Sequence, residues 1–501
     1  MVYSKEEHIT KLLKELANIT NFDINLLSKY DNLQLISEAT FKLLGNNLPY
    51  NPEILEINYI YEIKPQGIKI TKPGIYKLVN NIKWFGKNTN CIKIESDDVI
   101  LDFDGFFIEY IKCYEDNKGN AFETIGISIR NQQNILIKNG LLKSFSYYGI
   151  SGESVQNIKI SKMQIQGIGL NNLDIRLLSP IGIFIKKSSL IKIIDCVVSN
   201  LKTKTDSCAG IQLFESTDGE IKNCLLDNLV NLDGAVQGYS YILSSNIITE
   251  KCVSKNFQSF FESNILTAGH TVIGFIPIFS IELEYNDCVA SNIVGCCDDC
   301  HGFSVFLNAF VKVNSFISTD IYDGITPSNT GAKATGLEVY GSNILIQNSI
   351  CKNIFAVFPQ DKQSTGFSVG GFNVQFINCV SENVQVVNEL LEPIGSLSNG
   401  FGTGFGWAPD PRLEFRIINA DNIKYINCVS KNCDVGFDTW NHQNSFWIDT
   451  ESSNFIHCFL FQTDGTRTIS CNPCSECNPG FVITLLNTAT NNTLIDTKCI
   501  V

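Results

Sequence analysis

The chain has 501 residues, of which 44% are hydrophobic and only 18% charged, with a formal net charge of −13 at pH 7. An acidic balance with no basic cluster is the wrong charge for a phosphate backbone, so no nucleic-acid partner is expected. The longest apolar stretch, residues 271–283, is too short to cross a bilayer and contains Pro277, so no membrane span is expected.

The first region, residues 1–50, reads as helix. Ser4 and Glu7 form a capping box, and Ile9, Leu12, Leu13, Leu16 and Ile19 follow at helical spacing. A second helical pattern over residues 23–44 carries Leu26, Leu27, Tyr30, Leu33, Ile36 and Leu43, and Gly45 stops it. Two amphipathic helices ahead of a β-rich body suit a short cap over its open edge, and a tethering module is the alternative. No basic-then-apolar leader precedes them, which gives an expectation of cytoplasmic synthesis.

Residues 51–465 repeat one phrase with small changes. Examples are GEIKNCLLDN (219–228), IELEYNDCVASN (281–292), NILIQNSICKN (343–353), NVQFINCVSEN (373–383) and NIKYINCVSKN (422–432). Each copy is two short alternating strands separated by a polar corner, and a Gly-apolar-x-apolar strand follows a loop of variable length. The runs are short and rich in Ile, Val and Phe, so a helical repeat is excluded. A three-strand unit of this kind closes no core alone, so its neighbours must stack into an all-β solenoid. The residue after the corner gives the register: Cys196, Cys224, Cys252, Cys288, Ser315, Ser349, Cys379, Cys428 and Cys458. Alternation turns this column inward, as a ladder of small buried residues with reduced thiols. Residues 466–501 form a Cys-rich end. There Cys471, Cys474 and Cys477 stand at CxxCxxC spacing with Cys499 as a fourth sulfur, which suits either zinc or a disulfide-pinned cap.

The repeats, together with the opening segments GIKITKPGIYKLVNNIKW (67–84) and CIKIESDDVILDFDGFFIEY (91–110), resemble the right-handed parallel β-helices of the pectate lyase-like superfamily. The resemblance implies three-strand coils wound right-handedly and a sugar-binding groove on the outward face of the Gly-apolar strand. It fixes no activity, since that superfamily holds lyases, hydrolases, epimerases, adhesins and viral spikes. Similar β-helices occur in large DNA viruses, and the abundance of Asn, Ile and Lys suggests an AT-rich genome. Incorporation into a virus particle is therefore an expected destination, and a homo-oligomer such as a trimer is open to such a chain.

Outward positions of the Gly-apolar strands supply the groove residues: Lys186, Gln212, Phe214, Ser304, Phe306, Tyr340, Ser368, Asp438 and Trp440, with His442 beside them. Aromatic faces alternating with polar groups suit a polysaccharide or glycan. The densest titratable cluster is CCDDCHG (296–302), where Asp298, Asp299 and His301 lie one coil from Glu338. Two carboxylates at that separation form a candidate acid–base pair for a glycosidic bond. Their layout departs from that of polygalacturonase-type glycosidases, and no basic residue stands in an evident position to abstract a proton. No cofactor is expected beyond zinc at the terminal cysteines, or calcium if the chain is a lyase. Two functions follow: a non-catalytic β-helix of a surface or particle with a glycan-binding groove, or a glycosidase, lyase or epimerase acting on the same face.

Overall fold

The computed structural model describes residues 57–87, 89–111, 123–169, 179–204, 207–260, 271–296, 299–324, 333–357, 363–388, 398–403, 420–438, 442–453, 457–460, 467–473 and 493–500. The helices expected before residue 45 lie outside these residues, as do Cys474 and Cys477. Every described element is a strand or a turn, and the strands pair in parallel with the corresponding strands of neighbouring coils. The architecture is a right-handed parallel β-helix. It divides into a first unit ending at Ile276 and a second beginning at Pro277.

In the first unit the Gly-apolar strands Thr124–Arg130, Tyr148–Glu153, Ile181–Lys186, Ser207–Phe214 and Ala235–Ile242 stack in order. Ile127, Ile150, Ile183, Ile211 and Tyr239 share one column and are fully buried. In the second unit, Phe367, Phe401 and Phe437 stack with ring centroids 4.8 and 4.9 Å apart, and Phe376, Tyr425 and Trp447 form a parallel stack at 5.1 and 5.4 Å. The strand spacing of a parallel sheet sets these distances, so identical columns deliver ring-on-ring contact without further adjustment.

The polar corner of the repeat is a single residue in the left-handed region, for example Asn223 at φ 52° and Asn378 at φ 54°. Asn and Asp tolerate this conformation best among residues with a side chain. The amides are also used. Asn223 donates to Asp195 at 3.1 Å, Asn378 to Asn348 at 3.1 Å, and Asn427 to Asn378 at 3.2 Å. Cys196, Cys224, Cys252, Cys288, Cys379 and Cys428 are buried, free thiols immediately after these corners. Each Sγ donates to the carbonyl two residues back, as Cys224 does to Lys222 O at 3.3 Å.

Two members of the expected ladder are displaced. Ser315, at φ 55°, is itself the corner residue, and the inward position belongs to Phe316, whose carbonyl receives the amide of Ile350. That coil has an SFI where the others have a corner residue followed by Cys, Ser or Thr, so the corner passes for the ladder member by one place. The amide of Glu451 bonds to Cys428 O, so the rung after Cys428 is the buried Thr450. Cys458 lies between His457 and Phe459, which pair with Val435 and Phe437, and so stands in the glycine column. Near the C-terminus, Arg467–Pro473 pairs with Thr493–Ile500 in a register that sets Cys471 opposite Thr497 and Cys499 opposite Pro473.

The glycine that opens each Gly-apolar strand has a packing cause. A Cβ on Gly366 would lie 2.0 Å from Ser381 Oγ and 2.7 Å from Gly400 O, and Gly302, Gly336 and Gly400 meet the same obstruction. We expect Gly366→Ala to lower stability by about 1–3 kcal/mol in chemical denaturation, because neither neighbour is the end of a flexible side chain.

Candidate functional site

In the second unit, Asp299–Asn314 pairs with Lys333–Gln347 so that Asp299 faces Lys333, Ser304 faces Glu338 and Phe306 faces Tyr340. This register gathers four titratable side chains, all nearly buried: Asp299, His301, Lys333 and Glu338. Glu338 forms a tight ion pair with Lys333 and accepts from Ser304 Oγ at 3.2 Å. The His301 ring stands between two carboxylates, with Nδ1 3.6 Å from Glu338 and Nε2 3.9 Å from Asp299. Burial pushes the Glu338 carboxyl up, but Lys333, His301 and Ser304 outweigh it and hold the group below the usual carboxylate range.

The structure thus brings Asp299, His301 and Glu338 together, while Asp298 lies outside the described residues. Lys333 is the member that sequence reasoning missed. Its signal was available: it stands three residues before Gly336, in the position that Asp299 occupies ahead of Gly302. Among the described residues no group of three His, Cys, Asp or Glu side chains is placed to hold a metal ion. Asp102, in the DFDG segment, is occupied by Lys138 at 3.1 Å, Asn139 at 3.2 Å and the amide of Asp104 at 2.9 Å.

The accessible groove expected across these coils is not present at the residues named for it. Ser304, Glu338, Tyr340, Ser368 and Asp438 are each at most 8% exposed. Alternation correctly sends them away from the core but leaves open whether the outward face meets water. Phe306 is half-buried, with its ring edge-on to Tyr340 at 6.4 Å. Asp438 accepts from Asn399 at 3.2 Å. His442 is fully buried, with Nε2 3.0 Å from the Tyr425 hydroxyl, so it belongs to the aromatic interior. Trp440 lies outside the described residues.

In the first unit the same face is accessible. Ser128, Ser151, Phe184 and Gln212 form one outward column and Arg130, Glu153, Lys186 and Phe214 the next. These side chains are half-buried, and Arg130 is exposed. Tyr147 and Tyr148 stack at 3.8 Å, and Tyr148 continues to Phe184 at 5.2 Å. Lys186 Nζ sits 5.5 Å over the Phe214 ring, and Arg130 Nε donates to Glu153 at 2.8 Å. Aromatic surface therefore crosses three consecutive coils obliquely, bordered by charged and hydroxyl groups. Phe214, Gln212 and Lys186 were expected on this face. Tyr147, Tyr148 and Phe184 were not, although SYYG (146–149) is an aromatic pair directly ahead of a Gly-apolar strand.

The profile of the family described as the right-handed β-helix region matches residues 114–273. No curated protein sequence matches the chain. Among solved structures, a mannuronan C-5 epimerase A-module from Azotobacter vinelandii is similar at 10% identity and TM-score 0.42, over 78% of this chain and 89% of that one. Tailspike protein 3 of bacteriophage CBA120 is similar at 10% identity and TM-score 0.39, over 86% of this chain and 56% of its own. The tailspike of Escherichia coli bacteriophage HK620 is similar at 9% identity and TM-score 0.37, over 85% and 72%.

The charge cluster makes a stability prediction. Lys333→Met leaves Glu338 buried without its cation and should cost about 3–5 kcal/mol in denaturant titration. Because the native Glu338 carboxyl lies below its ordinary 4.5, its contribution is complete above that pH and is lost as pH falls through the native value. Stability of Glu338→Gln, measured against pH, should therefore fall less steeply below 4.5 than that of the parent chain.

Proposed function

We propose that the protein is a non-catalytic β-helix of a cell or particle surface that binds glycan along the accessible face of its first unit. The observation that carries this reading is the oblique run of half-buried aromatic rings, Tyr147, Tyr148, Phe184 and Phe214, across successive coils. Neighbouring coils lie roughly 4.8 Å apart, so such a run offers stacking platforms along an oligosaccharide and not at one sugar alone. Ser128, Ser151, Gln212, Glu153 and Lys186 supply the donors and acceptors that sugar hydroxyls need.

The charge cluster of the second unit supports the same conclusion from the other side. A glycosidase needs a carboxylic acid that keeps its proton and a second carboxylate across the bond, with room for a sugar between them. Glu338 has the opposite character: its charge is stabilised by Lys333, and both groups are nearly buried. The polysaccharide-active alternative assigns Glu338 and His301 to acid–base work and is separated from binding by turnover.

Retention on an array of bacterial and host glycans, followed by titration with any ligand found, tests the proposal. Tyr148→Ala and Phe184→Ala should each weaken binding about tenfold, the loss of one stacking platform. Glu338→Gln should leave affinity unchanged. New reducing ends, unsaturated uronates or altered uronate stereochemistry on incubation with polysaccharide, abolished by Glu338→Gln, would overturn the non-catalytic reading.

A further inference from the structure

The accessible face of the first unit carries a charge pattern as well as rings, and that pattern bears on which glycan it takes. Its outward column begins before Ser128. Lys69 and Lys93 precede it in register, so the column runs Lys69, Lys93, Ser128, Ser151, Phe184 and Gln212. Lys69 and Lys93 share one carboxylate. Glu95 is ion-paired with Lys93 and lies 3.9 Å from Lys69, and the two ammonium groups hold its carboxyl below the usual carboxylate range.

The neighbouring column repeats the imbalance. It runs Arg130, Glu153, Lys186 and Phe214, so two cations again flank one carboxylate. Arg130 takes that carboxylate, with Nε donating to Glu153 at 2.8 Å. Lys186 has a ring where comparable lysines have an acid. Lys192 reaches Glu220 of the next coil at 3.2 Å and Lys222 reaches Glu250 at 2.8 Å, whereas Lys186 Nζ lies 5.5 Å over Phe214. Four cations thus stand against two carboxylates, a local positive excess on a chain whose net charge is −13. Between the two groups the sign reverses. Burial, Tyr147 and the Glu123 carboxylate together push the Tyr148 hydroxyl up, so an acidic group stands beside the central ring.

We propose, resting on the glycan reading above, that the ligand of this face is an acidic heteropolysaccharide, with anionic residues at Lys69–Lys93 and at Lys186 and a neutral sugar on Tyr148 between them. Both signs contribute to the choice: the lysines attract a carboxylate or sulfate at the flanks, and Glu123 repels one at the centre. The two cationic positions lie three coils apart, roughly 14 Å along the coil axis. A chain with an acid on every residue sets an anionic group against Glu123. A neutral chain leaves the positive excess of both flanks without a partner.

The test is retention of the full chain on an array of bacterial capsular and host oligosaccharides that includes homopolymeric uronates, each acidic member beside its carboxyl-reduced or desulfated form. Acidic heteropolymers should be retained, and their neutralised forms should bind more weakly. In titrations with a retained fragment, Lys93→Gln and Lys186→Gln should each weaken binding about three- to fivefold, the effect of one accessible ion pair. Both substitutions should also flatten the loss of affinity between about 50 and 200 mM salt, which a purely structural role would not do. Glu123→Gln should raise the affinity for a homopolymeric uronate. A neutral glycan or a homopolymeric uronate bound at least as tightly, or lysine variants without effect, would overturn the inference while Tyr148→Ala and Phe184→Ala still weaken binding and the glycan reading stands. Retention of no member of the array would overturn both.

Discussion

A coil of this molecule must turn where the coil beneath it turns. Parallel strands offer all their backbone groups to the neighbouring coil, and a corner out of register leaves several of them without partners. The chain meets this constraint with one residue per corner in the left-handed conformation, followed by a small inward side chain that donates to the carbonyl two residues back. Ser349 does the same with a hydroxyl, reaching Gln347 O at 2.9 Å, so the site asks for a small donor more than for sulfur. Once the corners align, the columns follow: aliphatic and aromatic stacks inside, glycine where a Gly-apolar strand passes over the Ser or Cys of the third strand, and charge or hydroxyl outside.

The same constraint explains where variation is allowed. The step between corners ranges from 22 residues, Cys428 to Thr450, to 49, Cys379 to Cys428, while the paired strands on both sides keep the same order. Additional residues enter at the ends of the Gly-apolar strand: between the third strand of one coil and the Gly-apolar strand of the next, and in the longest step also after it, where Thr403 and Ala420 pair with Val369 and Gly371. Function can therefore change at that edge, coil by coil, without disturbing the stack.

This explains which parts of the molecule the sequence makes legible. Strand alternation, the polar corner and the glycine are imposed by local geometry and recur in each coil, so solenoid architecture and most of the thiol ladder can be read directly. The ladder goes astray at Phe316, where a large side chain replaces the small one and the corner residue is Ser, and after Cys428, where a short coil breaks the spacing. The sites were less legible because alternation separates inward from outward and not outward from accessible. Glu338 and Tyr340 point away from the core and are buried, whereas Phe184 and Phe214 occupy equivalent columns and are only half-buried. Lys333 shows the other limit: a buried carboxylate is interpretable only with its cation, and that cation stands five residues away on the same strand, a spacing that alternation alone gives no reason to pair.

The corner amides carry one further consequence. In each ladder the later coil donates and the earlier coil accepts: Asn157 to Asn134 to Asp98, Asn383 to Asn353 to Asp320, Asn246 to Asp218, and Asn228 to Asn200. The side-chain dipoles consequently point one way along the stack, with their positive ends toward the earlier coils, and the ladders at Asp98, Asp320 and Asp218 begin on an aspartate, which accepts and does not donate when ionised. The arrangement is a side-chain counterpart of a helix with an acidic residue at its amino end. It also gives the stack a sense of growth. A coil added after the last rung meets a carbonyl ready to accept, whereas one placed before the aspartate meets a group with no hydrogen to offer.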